Sequence, residues 1–357
     1  MVEFCYFKQC NGDGEIISSK ASQNVYRFNT FEDNPHSALV LRHGSEIIVY
    51  GNFFLNGMGG VRIREGQNHF IYNNYFSNLN RWTIMLQNEE ADPVENIQIA
   101  FNTLVNTAEN RLGSSGPDDP EDVTFTNNIF ANTNSDDLFD DATRQENWIG
   151  NIFSGDLGIS TPPSGLEEME PRLQRNNDGF WSLSENSPAI DAAESGFSLI
   201  PHFDGMDPID TDISYDLMMQ RRPSSINEKD LGCNEFPQNI EIRPFAREDN
   251  TGPIYLRPET SSIDESDVIV SDLIAISPNP VQSQIRVEIL KPETQSLIIE
   301  IYNLEGKKIK EAQTAETPIH LINVSDYPTG RYIIKATTNA RNGVSKRVQS
   351  LQFIKIK

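Results

Sequence analysis

Two short motifs near the start of the chain hold residues that could do chemistry together. Asp13-Gly14-Glu15 sets two carboxylates at alternate positions and is followed by Lys20; Leu41-Arg42-His43-Gly44 then places Arg42 and His43 22 and 23 residues beyond that lysine. On a strand, carboxylates at i and i+2 project to one side. Asp13 and Glu15 would thus hold one hard cation through oxygen, with calcium the natural candidate. Strict alternation puts Lys20 on the side opposite Glu15, so a shared site calls for a bend, expected at Ser18-Ser19. A cation, a lysine and an arginine in one groove suit β-elimination on a uronic acid polysaccharide. The cation stabilises the charge that develops beside the substrate carboxylate. A lysine crowded by other cations gives up its proton more readily and can take the one on C5. The arginine stabilises charge and assists the departing glycosidic oxygen.

The element that must bring these residues together is a repeat of the same length. A polar-Asn-apolar unit returns at Asn29, Asn52, Asn74, Asn102, Asn128 and Asn151, in steps of 23, 22, 28, 26 and 23 residues. Each unit tends to follow a short β-branched run such as Glu46-Ile47-Ile48-Val49-Tyr50, and no sustained helical period is present. Short strands with Asn/Gly turns at this period predict a right-handed, single-stranded parallel β-helix. Its rungs would lie about 4.8 Å apart, with asparagines hydrogen-bonded along the axis and Phe and Ile filling the interior. One coil would carry Lys20 onto Arg42. The longer steps predict loops at Glu89–Pro93 and Gly113–Glu121, on a face where they would shape a groove.

Charge narrows the partner. The net charge is −23, but residues 1–88 carry seven Lys/Arg against seven Asp/Glu, residues 89–270 ten against thirty-seven, and residues 271–357 twelve against eight. So acidic a bulk argues against nucleic acid. The neutral first section still leaves Lys20, Arg27, Arg42, Arg62, Arg64 and Arg81 for an anionic substrate. Cys5, Cys10 and Cys233 are too few and scattered for a disulfide framework and read as packing residues. There is no transmembrane run, and the first residues have no basic segment leading into a long apolar one. The acidic, Asn-rich, lysine-poor composition nevertheless suits a secreted protein.

At this point a resemblance enters. Gly14-Glu15-Ile16-Ile17-Ser18-Ser19-Lys20, Leu41-Arg42-His43-Gly44, Met58-Gly59-Gly60-Val61-Arg62-Ile63-Arg64 and Asn73-Asn74-Tyr75-Phe76 together resemble polysaccharide lyase family 6, the alginate lyase and chondroitinase B family. The resemblance covers roughly residues 1–235. It implies Lys20 as the Brønsted base, Arg42 as the Brønsted acid, Glu15 and Asp13 as ligands to Ca2+, and His43, Arg62 and Arg64 as substrate contacts. Arg81 with Trp82 reads equally as a further sugar subsite or as an exposed loop pair. The family's commoner substrate makes alginate the expected polymer, ahead of chondroitin or dermatan sulfate. The family's β-helix begins well before this motif, and a third calcium ligand, an asparagine, comes from an upstream coil. The resemblance therefore implies an N-terminally truncated chain with an incomplete calcium site. Two other classes follow: a non-catalytic, polysaccharide-binding or inert β-helix, and a glycoside hydrolase on the same fold. Asp136-Asp137 and Asp140-Asp141, the acids a hydrolase would need, read as solvated loop residues.

The rest divides into a cap, a linker and a tail. Ser187-Pro188-Ala189-Ile190-Asp191-Ala192, Arg221-Arg222-Pro223 and Asp230-Leu231-Gly232-Cys233-Asn234-Glu235 resemble the closing segment of secreted bacterial β-helices. The β-helix domain thus spans 1–237, with its cap at about 185–237. Residues 238–270, rich in Pro, acids, Ser and Thr, read as a linker. Residues 271–357 read as a small β-sandwich with strands at Ile285–Leu290, Ile298–Tyr302, Arg331–Ala336 and Val348–Ile356. Ser277-Pro278-Asn279-Pro280-Val281, Ile301-Tyr302-Asn303-Leu304-Glu305-Gly306-Lys307, Tyr327-Pro328-Thr329-Gly330-Arg331-Tyr332 and Phe353-Ile354-Lys355-Ile356-Lys357 resemble the type A sorting domain of the Bacteroidota type IX secretion system. That resemblance implies the secretion machinery as a partner, export across the outer membrane, and removal of the tail.

Overall fold

The computed structural model describes residues 1–88, 93–113, 119–132, 137–142, 145–176, 178–196, 213–237, 246–248, 251, 274–277, 279–289, 297–303, 306–313, 319–338 and 348–356. The chain forms two compact units, Met1–Glu259 and Thr260–Lys357. Much of the expected linker, and most of the loops expected at 89–93 and 113–121, lies outside the described residues.

In the first unit each coil contributes three short strands. The first coil holds β1 (Val2–Glu3), β2 (Tyr6–Lys8) and β3 (Glu15–Ser19), and the second β4 (Val25–Arg27), β5 (Thr30–Glu32) and β6 (Ser37–Leu41). The third holds β7 (Ile48–Tyr50), β8 (Phe53–Leu55) and β9 (Gly59–Ile63), and the fourth β10 (Gly66–Tyr72), β11 (Tyr75–Ser77) and β12 (Ile84–Leu86). The fifth holds β13 (Val94–Ala100), β14 (Thr103–Val105) and β15 (Asn110–Leu112), and the sixth β16 (Glu121–Thr126), β17 (Ile129–Ala131) and β18 (Phe139–Ala142). β19 (Asn147–Ile149), β20 (Asn151–Ser154) and β21 (Leu166–Glu168) close the stack, followed by the antiparallel hairpin of β22 (Leu173–Arg175) and β23 (Trp181–Leu183). Corresponding strands pair in parallel into three sheets. We call them sheet A (from β1 to β19), sheet B (from β2 to β21) and sheet C (from β3 to β18). The β-helix expected from the repeat is thus present.

The asparagines act as the period implied. Asn29, Asn52, Asn74, Asn102, Asn128 and Asn151 are fully buried at the turn between sheets A and B. The last, Asn151, donates its Nδ2 to Phe125 O; in the first five, the side-chain Nδ2 donates to the Oδ1 of the asparagine one rung on, at 2.9–3.0 Å. That same Oδ1 also accepts the backbone N–H of the preceding asparagine. The turn therefore satisfies its own buried donors without water. Inside the coil, Phe7, Phe31, Phe54 and Phe76 stack with ring centroids 4.9, 5.0 and 4.7 Å apart. Each fully buried ring is worth about 1.5–3 kcal/mol relative to an exposed one.

The segment expected as an end cap lies elsewhere. Sheet B is apolar on both faces: Phe54, Phe76 and Phe130 point inward, whereas Phe53, Tyr75 and Ile129 point outward into a second core with Leu183, Ala189, Leu217, Leu231 and Cys233. Trp181 N–H donates to Tyr75 Oη, Cys233 N–H to Thr103 Oγ1, and Arg222 Nη2 to Asn73 Oδ1. The described part of the segment is a strap along the flank, because the outward ring column of sheet B has to be covered. Cys233 is buried there, while Cys5 and Cys10 are half-buried at the start, all three as free thiols.

In the second unit, β24 (Ile274–Ser277), β25 (Gln284–Ile289) and β28 (Ile319–Asn323) form one antiparallel sheet. β26 (Leu297–Asn303), β27 (Lys308–Gln313), β29 (Gly330–Thr338) and β30 (Val348–Lys355) form the other. Alternating residues of both, among them Ile285, Val287, Ile299, Ile301, Ile334 and Phe353, share one core. Pro278, Leu304 and Glu305, which belong to two of the tail motifs, lie outside the described residues.

Candidate functional site

The residues singled out by type converge on sheet C. Ser19, Leu41, Ile63 and Leu86 are in register on adjacent rungs. The parallel ladder continues past the strand ends: Arg42 N–H donates to Ser19 O, Arg64 N–H to Leu41 O and Gln87 N–H to Ile63 O, each at 2.9 Å. Lys20, Arg42, Arg64 and Gln87 therefore occupy one position on four successive rungs. Leu41, Ile63 and Leu86 point into the core, so alternation turns the next residue outward. The turn beyond needs glycine: Gly44 has φ +86°, and a Cβ there would stand 2.5 Å from Ala21 C.

A bend at Ser18-Ser19 does not occur. β3 runs unbroken from Glu15 to Ser19 in register with β6. Glu15 reaches the face that carries Arg42 at the strand's entry instead, where its Oε1 accepts from Arg42 Nη1 at 2.9 Å, with the Glu15 side chain 15% and the Arg42 side chain 35% exposed. Asp13 is exposed, and its Oδ1 accepts the Gly14 N–H. Lys20 is exposed and, among the described residues, makes no ion pair or hydrogen bond.

His43 is oriented by a residue that reading by motif overlooks. Its Nδ1 lies 2.7 Å from Oε2 of Glu65, whose side chain is 4% exposed. A signal was available, because Arg64-Glu65-Gly66 repeats Arg42-His43-Gly44 after one 22-residue turn. Arg62 projects from the middle of β9 and donates to Gln87 Oε1 at 2.8 Å. Arg62 pairs with Met85 on the next rung, and Met85 with Arg111. Arg111, likewise missed, lies 5.3 Å from the Trp82 ring centroid, and Arg81 lies 4.1 Å from it, so one indole carries two guanidiniums. Asp140 stands beside Arg111 in register within β18, so it and Asp141 are strand residues and not the loop acids expected; Asp136 lies outside the described residues. Lys20, Arg42, Arg62, Arg64, Arg81 and Arg111 thus form a cationic strip on a strongly acidic chain.

His69 lies beneath this strip, fully buried. Its Nδ1 accepts the Ile47 N–H and its Nε2 faces Glu65 O, each at 3.3 Å, which assigns a neutral ring with the proton on Nε2. Burial pushes its pKa down to about 4. A second proton would be set on Nδ1 against the Ile47 N–H. The folded value lies below the unfolded one, so this stability is complete above an unfolded pKa of about 6.5 and is lost as pH falls toward 4. Between pH 7 and pH 4.5, wild type should lose about 2.5 kcal/mol more than His69→Gln, which keeps one donor and one acceptor. Denaturant melts of both proteins across that range check this; parallel losses would refute it.

Calcium is tested by its donor set. Asp13 and Glu15 are hard oxygen ligands of the right kind, but calcium takes about 6–8 oxygens. Among the described residues no cluster of three or more His, Cys, Asp or Glu is present. Asp13 and Glu15 would supply only part of that shell, the rest falling to water and a ligand's carboxylate, and in this structure Asp13 Oδ1 accepts the Gly14 N–H while Glu15 Oε1 is held by Arg42.

A β-solenoid with a cationic strip along one sheet is the class this geometry defines. Residues 1–134 match the chondroitinase B family model, and residues 275–350 match that of the secretion system C-terminal sorting domain. The chain thus carries a chondroitinase B family domain, resembling a polysaccharide lyase, and a tail of the type IX sorting kind that directs export to the cell surface or beyond. No curated protein matches it. Among the described residues no helix is long and apolar enough to cross a membrane.

Proposed function

We propose that this protein is an exported lyase that cleaves a uronate polysaccharide, with alginate as substrate, by β-elimination. The observation that carries the reading is the column Lys20–Arg42–Arg64, rung upon rung, with Arg62 and Arg111 beside it. Uronate carboxylates pair with these guanidiniums, which bind such groups in planar, two-pronged fashion. Lys20 Nζ removes the C5 proton, the electron pair forms the C4–C5 double bond, and the C4–O bond breaks. Arg42 hands a proton to the leaving oxygen, for which it must first loosen from Glu15. His43, steadied by Glu65, holds the sugar beside them. Asp13 and Glu15 would hold Ca2+, which would supply charge stabilisation to the substrate carboxylate.

One observation favours a second reading, a non-catalytic polysaccharide-binding surface: the Glu15–Arg42 ion pair engages both a calcium ligand and the acid. Incubation with alginate, in calcium or chelator, separates the two. Unsaturated, ultraviolet-absorbing ends that fall away with chelator support the lyase. Binding without products supports the surface, and new reducing ends without unsaturation would indicate a hydrolase. Calorimetric titration with calcium alone should show heat in wild type and none in Asp13→Asn/Glu15→Gln.

A further inference from the structure

On sheet B, away from the strip, a cavity of about 530 Å³ opens along three rungs. That volume lies within the range of small-molecule sites, roughly 300–1,000 Å³. Its floor is the outward column Glu32, Leu55 and Ser77, in register on β5, β8 and β11. Beside that column stand Asn56 and Asn78, both exposed. Asn78 Nδ2 donates to Asn56 Oδ1 at 3.0 Å, which leaves Asn56 Nδ2 as a donor and Asn78 Oδ1 as an acceptor. The hairpin β22–β23 supplies one wall. There Phe180 is held by the rings of Phe53 and Tyr75, with centroids at 4.9 and 5.4 Å.

The charges say what such a cavity would take. Its ionisable lining has three carboxylates (Glu32, Asp178, Glu248) against two guanidiniums (Arg175, Arg247). Arg247 Nη2 is neutralised by Asp178 Oδ1 at 3.0 Å. Tyr6 Oη donates to Glu32, fixing that carboxylate in the floor. Glu32 is likewise met by Lys8 at 3.9 Å, which leaves Glu248 against Arg175 and no net positive charge to hold a polyanion of the kind that suits sheet C. A ring of neutral hydroxyls meets what it needs: carboxylate and amide oxygens to accept, an amide and a guanidinium to donate, and the Phe180 ring for its C–H face.

We propose that this cavity is a second saccharide site, selective for neutral sugar and separate from the cationic strip. It would bring the protein to a mixed polysaccharide matrix through a component that the strip does not bind. The proposal does not depend on the lyase reading, since it makes no use of sheet C.

Saturation-transfer NMR on the full chain, with cellotetraose, maltotetraose, mannotetraose and an alginate tetrasaccharide as probes, tests it. At least one neutral tetraose should receive saturation. The signal should drop about fivefold or more in Asn78→Ala, which removes a hydrogen-bonding amide, and in Glu32→Gln, which exchanges a carboxylate acceptor for an amide donor. It should persist in Lys20→Ala, and excess alginate tetrasaccharide should not displace it. No transfer to any neutral tetraose, transfer unchanged in Asn78→Ala, or displacement by the alginate probe would each overturn the proposal. Circular dichroism establishes that the variants are folded. Asn78 is exposed, so its variant decides the matter if Glu32→Gln does not fold.

Discussion

Lys20→Ala should abolish the appearance of unsaturated ends from alginate while leaving the polymer bound. A positioned general base is typically worth about 10²–10⁴-fold in rate, so kcat should fall by that factor with KM nearly unchanged. The split follows from the layout of sheet C. Arg42, Arg62, Arg64 and Arg111 remain to pair with carboxylates, and Lys20 is the exposed cation at the first rung with no partner among the described residues. Arg64→Ala, one rung beyond Arg42, should do the reverse and raise KM with a smaller change in kcat, because it removes binding that the ground and transition states share. Initial rates of ultraviolet absorbance over a range of alginate concentrations measure both. Full activity in Lys20→Ala would assign the base elsewhere. A loss in KM alone would make Lys20 another carboxylate contact.

The solenoid and the convergence on sheet C were legible because both depend on one period. A spacing near 22 residues sets Asn29 on Asn52 and Lys20 beside Arg42, whatever the intervening turns do. The same period points to Glu65, since Arg64-Glu65-Gly66 repeats Arg42-His43-Gly44 in one turn. It was missed because a glutamate has no place in the motif itself. The ion pair between Glu15 and Arg42 was not legible, because strand alternation describes where a side chain leaves the backbone and not how far a long one reaches. The flank strap and the neutral cavity were illegible for a different reason. Contacts such as Arg222 to Asn73 and Cys233 to Thr103 span more than a hundred residues and carry no repeat. The outward ring column of sheet B was nevertheless in view: Phe53 and Phe54 cannot both face one core, so a second covering layer was implied.

That same periodic turn should be where the first unit is most sensitive to a single side chain. Asn74 sits at the middle of the ladder, and Asn74→Ala removes four hydrogen bonds at once. Its Oδ1 accepts from Asn52 N–H and Nδ2, both at 3.0 Å, and its Nδ2 donates to Val49 O and Asn102 Oδ1 at 2.9 and 3.0 Å. The partners do not suffer equally. Asn52 Nδ2 keeps Tyr26 O and Tyr50 O, and Asn102 Oδ1 keeps the Asn74 N–H. The Asn52 backbone N–H is left with no acceptor in a turn that excludes water. An orphaned buried group costs about 1–3 kcal/mol, and the vacated side-chain volume adds to it, so a loss of about 3–4 kcal/mol is expected. For a unit of this size that lowers the melting temperature by roughly 6–16 °C. Asn78→Ala, an exposed amide one turn edge away, should shift it by only about 2–4 °C, the cost of placing alanine at a left-handed φ of +53°. Calorimetry on the full chain reads both shifts in the transition of the first unit. A small shift in Asn74→Ala would mean that a water enters the turn and that the ladder specifies register without supplying stability.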